Sequence, residues 1–225
     1  MARSHLAALA RCTICMKLYD YAASANCYKA RLLLAQLGIE YERVPVDIFA
    51  GETLTDEFAA INAARTTPVL EDPPGTFLQE SNAILLHLAR GTRFLPDDPQ
   101  VYRWLFYEQA DVVPAVGGLR FRLITGRLSP DDPDARRRRA AADEVLGLLD
   151  AHLSRQSFFI GEGYSVADIG IYGYVHVADE ARLDLQPHAA LRAWLARVQR
   201  QPGYVNDLAP YPPNARAGVS TSIYD

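Results

Sequence analysis

The chain has 225 residues, of which 49% are hydrophobic, with 23 basic and 27 acidic residues and a formal charge of -4. That allows one large domain or two small ones with an ample core, and the mild acidic excess speaks against a nucleic-acid partner. No apolar run approaches the roughly 20 residues of a membrane span, so no membrane partner is expected. Three cysteines make no disulfide framework, which points to a reducing, cytoplasmic compartment.

Residues 1–15 are basic, rich in Ala and Leu, and free of acid. Arg11 interrupts them before a secretory apolar core could form. They read as a leader or disordered arm, with a transit peptide as the lesser alternative and Met16 opening the folded part. Lys17 and Lys29 are the only lysines, which reads as a bias of usage rather than a site.

"MKLYDY" (16–21) is short, apolar and aromatic, as a strand should be. In the next stretch Cys27, Ala30, Leu33, Leu34 and Leu37 recur at helical spacing, and Gly38 stands where a helix C-cap belongs. "YERVPVDI" (41–48) alternates like a second strand, and "TDEFAAINA" (55–63) has a Thr cap and an acidic first turn. "PVLED" and "TFLQ" flank the turn Pro73-Pro74-Gly75, a hairpin pattern, and "ESNAILLHLAR" (80–90) predicts a third helix. A strand, a helix and a strand suggest a parallel pair, while the terminal hairpin must be antiparallel. After the Pro-, Gly- and Asp-rich 91–100 only helical periods remain, over roughly 101–127, 134–154, 165–182 and 188–200. The second half therefore reads as all-helical. The tail from 205 is Pro-rich and aperiodic, and is expected to be extended and docked by its tyrosines.

Cys12 and Cys15 form a Cys-x-x-Cys pair. A thioredoxin-type dithiol needs its first cysteine at a helix N-terminus after a strand, where the helix lowers its pKa. This pair precedes the strand instead. Metal binding would need more ligands than His5, so no metal is expected. Cys27 lies in the first helical turn, on the Ala30/Leu34 side, and reads as a buried structural thiol. Ser24 and Asn26 stand at the mouth of that helix. They are good N-caps, and with the first-turn N–H groups they also suit an anion. Ser165 and Asp168 read as a structural capping box, and Arg136 to Arg139 as a solvated helix face with partners for the preceding acids.

Four segments resemble the cytosolic glutathione transferases: "KLYDYAASANCYKARLLLAQLGI", "INAARTTPVLED", "LQESNAILLHLA" and "FFIGEGYSVADIGIYGYV". The resemblance covers roughly 16–204. It implies an α/β thioredoxin-like N-terminal domain over 16–92, an all-α helical C-terminal domain over 100–204, an extended tail over 205–225 and a homodimer. It also implies glutathione as co-substrate. Pro68 would be a cis proline exposing the backbone of Thr67 to glutathione. Glu80 and Ser81 would receive the γ-glutamyl carboxylate at the start of the third helix. Thr66 would lie near the glycine carboxylate, although Ala63 and Arg65 stand where the family has Pro and Gly. Arg65 could take over an anionic contact or be solvated.

Ser24 and Asn26 are the expected catalytic pair, holding the glutathione sulphur as a thiolate, with Tyr21 ranked below Ser24. Ser24-Ala25-Asn26 resembles the Thr-Pro-Asn pattern of the bacterial nu-type, some of which reduce disulfides with two glutathiones. It matches the Ser-Ser-Cys of zeta-type isomerases at one position only. Tyr107, Asp111 and Arg120 are expected to line a pocket for a hydrophobic electrophile, as in a detoxifying enzyme. The competing readings are a glutathione-dependent disulfide reductase, a non-catalytic interaction module of the same fold, and a dithiol oxidoreductase using Cys12 and Cys15.

Overall fold

The computed structural model describes residues 16–225. The arm over 1–15, with His5 and the Cys12/Cys15 pair, lies outside the described residues. The first half is β1 (Lys17–Asp20), α1 (Ala25–Leu37), β2 (Glu42–Pro45), α2 (Asp56–Ile61), β3 (Val69–Glu71), β4 (Phe77–Gln79) and α3 (Ser81–Ala89). The sheet order is β2-β1-β3-β4, with β1 and β2 parallel and the other neighbours antiparallel. The parallel pair and the antiparallel hairpin are those that the element order implied, and the whole is the thioredoxin-like arrangement that the resemblance implied.

Local chemistry sets the helix ends. The Ser24 hydroxyl accepts from Cys27 N at 3.3 Å and starts α1. Gly38, at φ 66°, ends it, its N–H reaching the Ala35 and Leu34 carbonyls; this left-handed turn suits a residue without Cβ. Thr55 caps α2 by accepting from Phe58 N at 3.1 Å. α1 is wedged between the sheet and the helical half and is buried on nearly all faces. Leu32, Leu33 and Leu34 have no exposed surface, each worth about 1.5–3 kcal/mol of burial. The close approach of the helical half needs Gly173, where a Cβ would lie 2.7 Å from Lys29 Cγ.

All-round burial also encloses polar residues. Arg31 Nη1 meets Asp20 Oδ1 at 2.5 Å, and its Nε meets Asp207 at 2.9 Å, tying α1 to β1 and to the tail. Lys29 is as buried as the leucines, so this lysine is a built part of the interior and not an accident of usage.

The helical half begins with a rod in three parts: α4 (Gln100–Tyr107), a π-helical segment (Glu108–Gly117) that contains Pro114, and α5 (Gly118–Ile124). It continues with α6 (Pro133–Leu153), α7 (Val166–Val175) and α8 (Ala189–Gln199). α7 starts with the expected capping box. The fully buried Asp168 carboxylate accepts from Phe159 N at 3.1 Å, Ser165 N at 2.9 Å and Trp194 Nε1 at 2.9 Å. Burial nevertheless pushes its pKa up to about 6. Arg137 and Arg138 pair with Asp134, and Arg136 donates to Asp131 O at 2.8 Å. Arg136 and Arg137 form the solvated face that the sequence suggested, whereas Arg138 and Arg139 are half-buried and Arg139 Nε has no partner. Among the described residues no helix is long and apolar enough to cross a membrane.

The tail runs back over the first half. Tyr28 Oη donates to Val205 O at 2.7 Å, Ala209 N to Ala22 O at 3.1 Å, and Thr221 N to Phe49 O at 2.9 Å. Arg127 fastens its far end, donating to Ser220 Oγ at 2.7 Å and to Asp225 Oδ1 at 2.5 Å.

Candidate functional site

A cavity of about 460 Å³ opens where the mouth of α1 faces the rod and the tail. One side is polar and carries Ser24, Asn26, Arg65, Thr66 and Thr67; the other is aromatic and carries Phe49, Phe121, Tyr174, Tyr211 and Tyr224.

Ser24 sits at the N-terminus of α1, where unpaired N–H groups and the helix dipole favour an anion. Its oxygen accepts from Cys27 N, and the Cys27 thiol is the acceptor within reach of its proton. A thiol is a weak acceptor, so the hydroxyl, which lines the cavity, can turn its proton to a ligand there. Asn26 lies two residues further on, in the first turn of α1. Its Oδ1 accepts from Lys29 Nζ at 2.9 Å and from Ser81 Oγ at 3.2 Å.

Cys27 is fully buried, and its Sγ accepts from Tyr21 N at 3.4 Å. Burial, with Asp20 nearby, pushes its thiol up to about 11, so at neutral pH it is a protonated structural thiol. Tyr21 also lines the cavity, but burial raises its phenol well above the ordinary range. Its ring packs edge-on against Phe49, 5.6 Å between centroids.

The Thr67–Pro68 peptide is cis, and Thr67 precedes β3, outside the sheet ladder. Asn62 shapes the preceding turn, donating to Thr66 O at 2.9 Å and to Thr66 Oγ1 at 3.1 Å. The backbone of Thr67 is thus presented at a strand edge, open to an extended ligand. Arg65, at φ 56°, turns its guanidinium onto the Thr53 and Thr55 carbonyls at 3.2 and 3.1 Å. It is partly solvated, and one arm of its fork is committed to these carbonyls.

Ser24, Asn26, Thr66 and Thr67 thus meet on one wall, with Pro68 buried beneath them. Glu80 is exposed, at φ 70°, at the start of α3. Ser81 is buried and reaches the wall only through its hydrogen bond to Asn26. Tyr107 and Asp111 do not face this cavity. They line a separate groove of about 530 Å³ between the rod and α6, with Arg138 and Leu148. Arg120 is buried, bonded to Glu180 at 2.6 Å, with its guanidinium 5.0 Å from the Tyr211 ring. It braces the aromatic wall from behind. That wall itself was missed by sequence reasoning. The only hint was the tyrosine content of the tail, which the sequence linked to docking and not to the site.

A thioredoxin-like domain with an open helix mouth and a cis-proline edge, closed over by a helical domain, is the architecture of a glutathione-dependent transferase. Residues 18–92 match the family model for the glutathione S-transferase N-terminal domain, and residues 132–197 match that for the C-terminal domain. A glutathione S-transferase from Pseudomonas fluorescens is 40% identical, with a TM-score of 0.83 over 87% of this chain and 100% of its own. A glutathione transferase from Burkholderia graminis, solved with two glutathione molecules per subunit, is 25% identical, with a TM-score of 0.73 over 84% of this chain and 85% of its own. The disulfide-bond oxidoreductase YfcG of Escherichia coli is 26% identical over 81% of this chain and 89% of its own. The chain belongs to the glutathione S-transferase family.

Proposed function

We propose that the protein is a glutathione transferase that holds the glutathione sulphur as a thiolate at the mouth of α1 for attack on a hydrophobic electrophile. The observation that carries this reading is the Ser24 hydroxyl, which lines the cavity at the N-terminus of α1 with its oxygen accepting from Cys27 N. Glutathione supplies the reactive thiol. A free thiol of pKa about 8.5 must be favoured as thiolate by roughly two units, or about 2.7 kcal/mol. A hydrogen bond to a charged group contributes about 1.5–3 kcal/mol, and a helix N-terminus about 0.3–1 kcal/mol. Together these suffice without a general base. The Thr67 backbone would pair with the tripeptide beside the cis proline. The first N–H groups of α3, after Glu80, would take the γ-glutamyl carboxylate; the Ser81 hydroxyl is already committed to Asn26. The Thr66 segment would take the other carboxylate. The aromatic wall would shelter the electrophile. The S–C bond forms as the leaving group departs with its electron pair, and the thiol proton goes to solvent.

A second reading, disulfide reduction, is supported by the hydroxyl–spacer–amide order of Ser24-Ala25-Asn26 and by the kinship with YfcG. Since Cys27 is buried and protonated, both electrons would come from two glutathiones, which leave as glutathione disulfide while the substrate leaves as two thiols. We take the chain to act in the cytoplasm as a homodimer. Binding to immobilised glutathione, then turnover of a chlorodinitrobenzene-type electrophile and of a small disulfide, tests both readings. Loss of either activity in Ser24→Ala supports the assigned hydroxyl. Binding without turnover of either substrate points to an interaction module instead.

A further inference from the structure

Lys29 and Glu108 are a buried ion pair with no part in the function proposed above. Their charged atoms lie 2.5 Å apart, and both side chains have 0% exposure. Such a pair is a poor source of stability, because removing two ions from water offsets most of their attraction. Its surroundings are polar, and both charged groups are hydrogen-bonded, although Asn82 Oδ1 beside them has no partner. Lys29 Nζ has three protons and three acceptors: Glu108 Oε1, Asn26 Oδ1 at 2.9 Å and Ser81 Oγ at 3.5 Å. Glu108 Oε2 accepts from Asn82 Nδ2 and Gln109 Nε2, each at 2.9 Å. The unit spans α1, α3 and the π-helical segment, and the Tyr174 ring of α7 closes it, 5.0 Å from Nζ. The other titratable groups near Lys29 are Glu80, at the start of α3, and Cys27 on its own helix.

An ammonium only donates. The atom of Asn26 that faces Lys29 must therefore be the carbonyl oxygen, and the second donor to it, Ser81 Oγ, agrees. This leaves Asn26 Nδ2 as the end of the amide without a partner among the described residues, on a side chain that lines the cavity.

We infer that Lys29 and Glu108 are positioning residues: the pair fixes the Asn26 amide carbonyl inward, so that its N–H₂ is aimed beside the Ser24 hydroxyl at the site of the glutathione sulphur. Without the ammonium the amide could turn, present its oxygen to the thiolate and repel it. The inference rests on the glutathione reading and assigns the second thiolate donor its support. Lys29 needs Glu108, because a lone ammonium in that interior would shed its proton and with it the donor that fixes the amide.

The test titrates the thiol of bound glutathione by its ultraviolet thiolate absorbance, in the full chain. The variants are Asn26→Ala, the double Lys29→Met/Glu108→Leu, which removes both charges together, and the triple. Asn26→Ala and the double variant should each raise the pH of half-ionisation by about one unit, roughly a tenfold loss of thiolate at neutral pH. The triple should add less than about twofold to either, because the pair acts through Asn26. Glutathione KM should change little while kcat falls. A folded double variant with the parental titration overturns the inference, as do effects that add in full. If Asn26→Ala still shifts the titration in that case, the glutathione reading stands. Should the double variant not fold, Asn26→Asp decides. It keeps an acceptor for Lys29 but offers only oxygen to the sulphur, so it must raise the half-ionisation pH at least as far as Asn26→Ala. An unchanged titration there overturns the inference. A parent chain that binds no glutathione removes the underlying reading as well.

Discussion

Replacing Ser24 separates two roles that one oxygen and one proton now share. As N-cap of α1 the oxygen accepts from Cys27 N, and loss of such a cap to Ala costs about 0.5–2 kcal/mol, but to Gly only a few tenths. As thiolate donor the proton is worth about 1.5–3 kcal/mol, which is one to two units in the pKa of bound glutathione. Ser24→Ala should therefore lower both stability and thiolate content. Ser24→Gly should recover most of the stability and none of the thiolate, since φ -81° and ψ 122° at this position are open to any residue. Denaturant midpoints measure the first quantity, and the pH dependence of kcat/KM with an activated aryl halide measures the second. A Ser24→Gly variant whose pH profile matches the parent would refute the assignment of the hydroxyl to the sulphur. So would a variant whose activity falls only as far as its stability does.

Cys27 should resist thiol reagents in the native state at pH 8, because burial holds it up at about 11. Peptide mapping after alkylation reads this, and Cys27→Ala should keep turnover within about twofold. Gly173→Ala should destabilise by about 1–3 kcal/mol in denaturant melts, because its Cβ would press on Lys29 Cγ at 2.7 Å and overpack the α1–α7 contact. Asp168 holds its proton more tightly folded, to about pH 6, than unfolded, near 3.9. Its contribution to stability is thus fully present below about pH 4 and is lost as pH rises through about 6. Asp168→Asn should flatten that fall in a pH series of melts, while weakening the fold at every pH. Arg127→Ala, which frees Ser220 and Asp225, should leave glutathione KM nearly unchanged and speed proteolysis within 216–225.

The parts of the fold that follow local rules were legible in the sequence. Ser24 and Gly38 bracket α1, Thr55 opens α2, and the Pro73-Pro74-Gly75 turn joins β3 to β4, because each depends on residues a few positions away. Of the polar wall, Ser24 and Asn26 were legible from the helix mouth, whereas Thr66 and Thr67 came only from the family resemblance. Tyr107 and Asp111 line the other groove because the resemblance supplied the helix that meets the first domain but not which of its faces does so. Tyr107 closes α4 and Asp111 lies in the π-helical segment, and both turn toward α6. The Lys29–Glu108 pair joins positions far apart in the chain, which no local period records. The same holds for the aromatic wall, which Phe49, Phe121, Tyr211 and Tyr224 build from four distant stretches.

The tail strap sets an order for the birth of the molecule. The sheet and α1 leave the ribosome early, so the helix mouth can form while the cleft above it is still roofless. Tyr211 and Tyr224 emerge only with the last segment of the described chain. A nascent protein can thus hold a finished polar wall before the tail closes over it, and the greasy half of the chamber is sealed last.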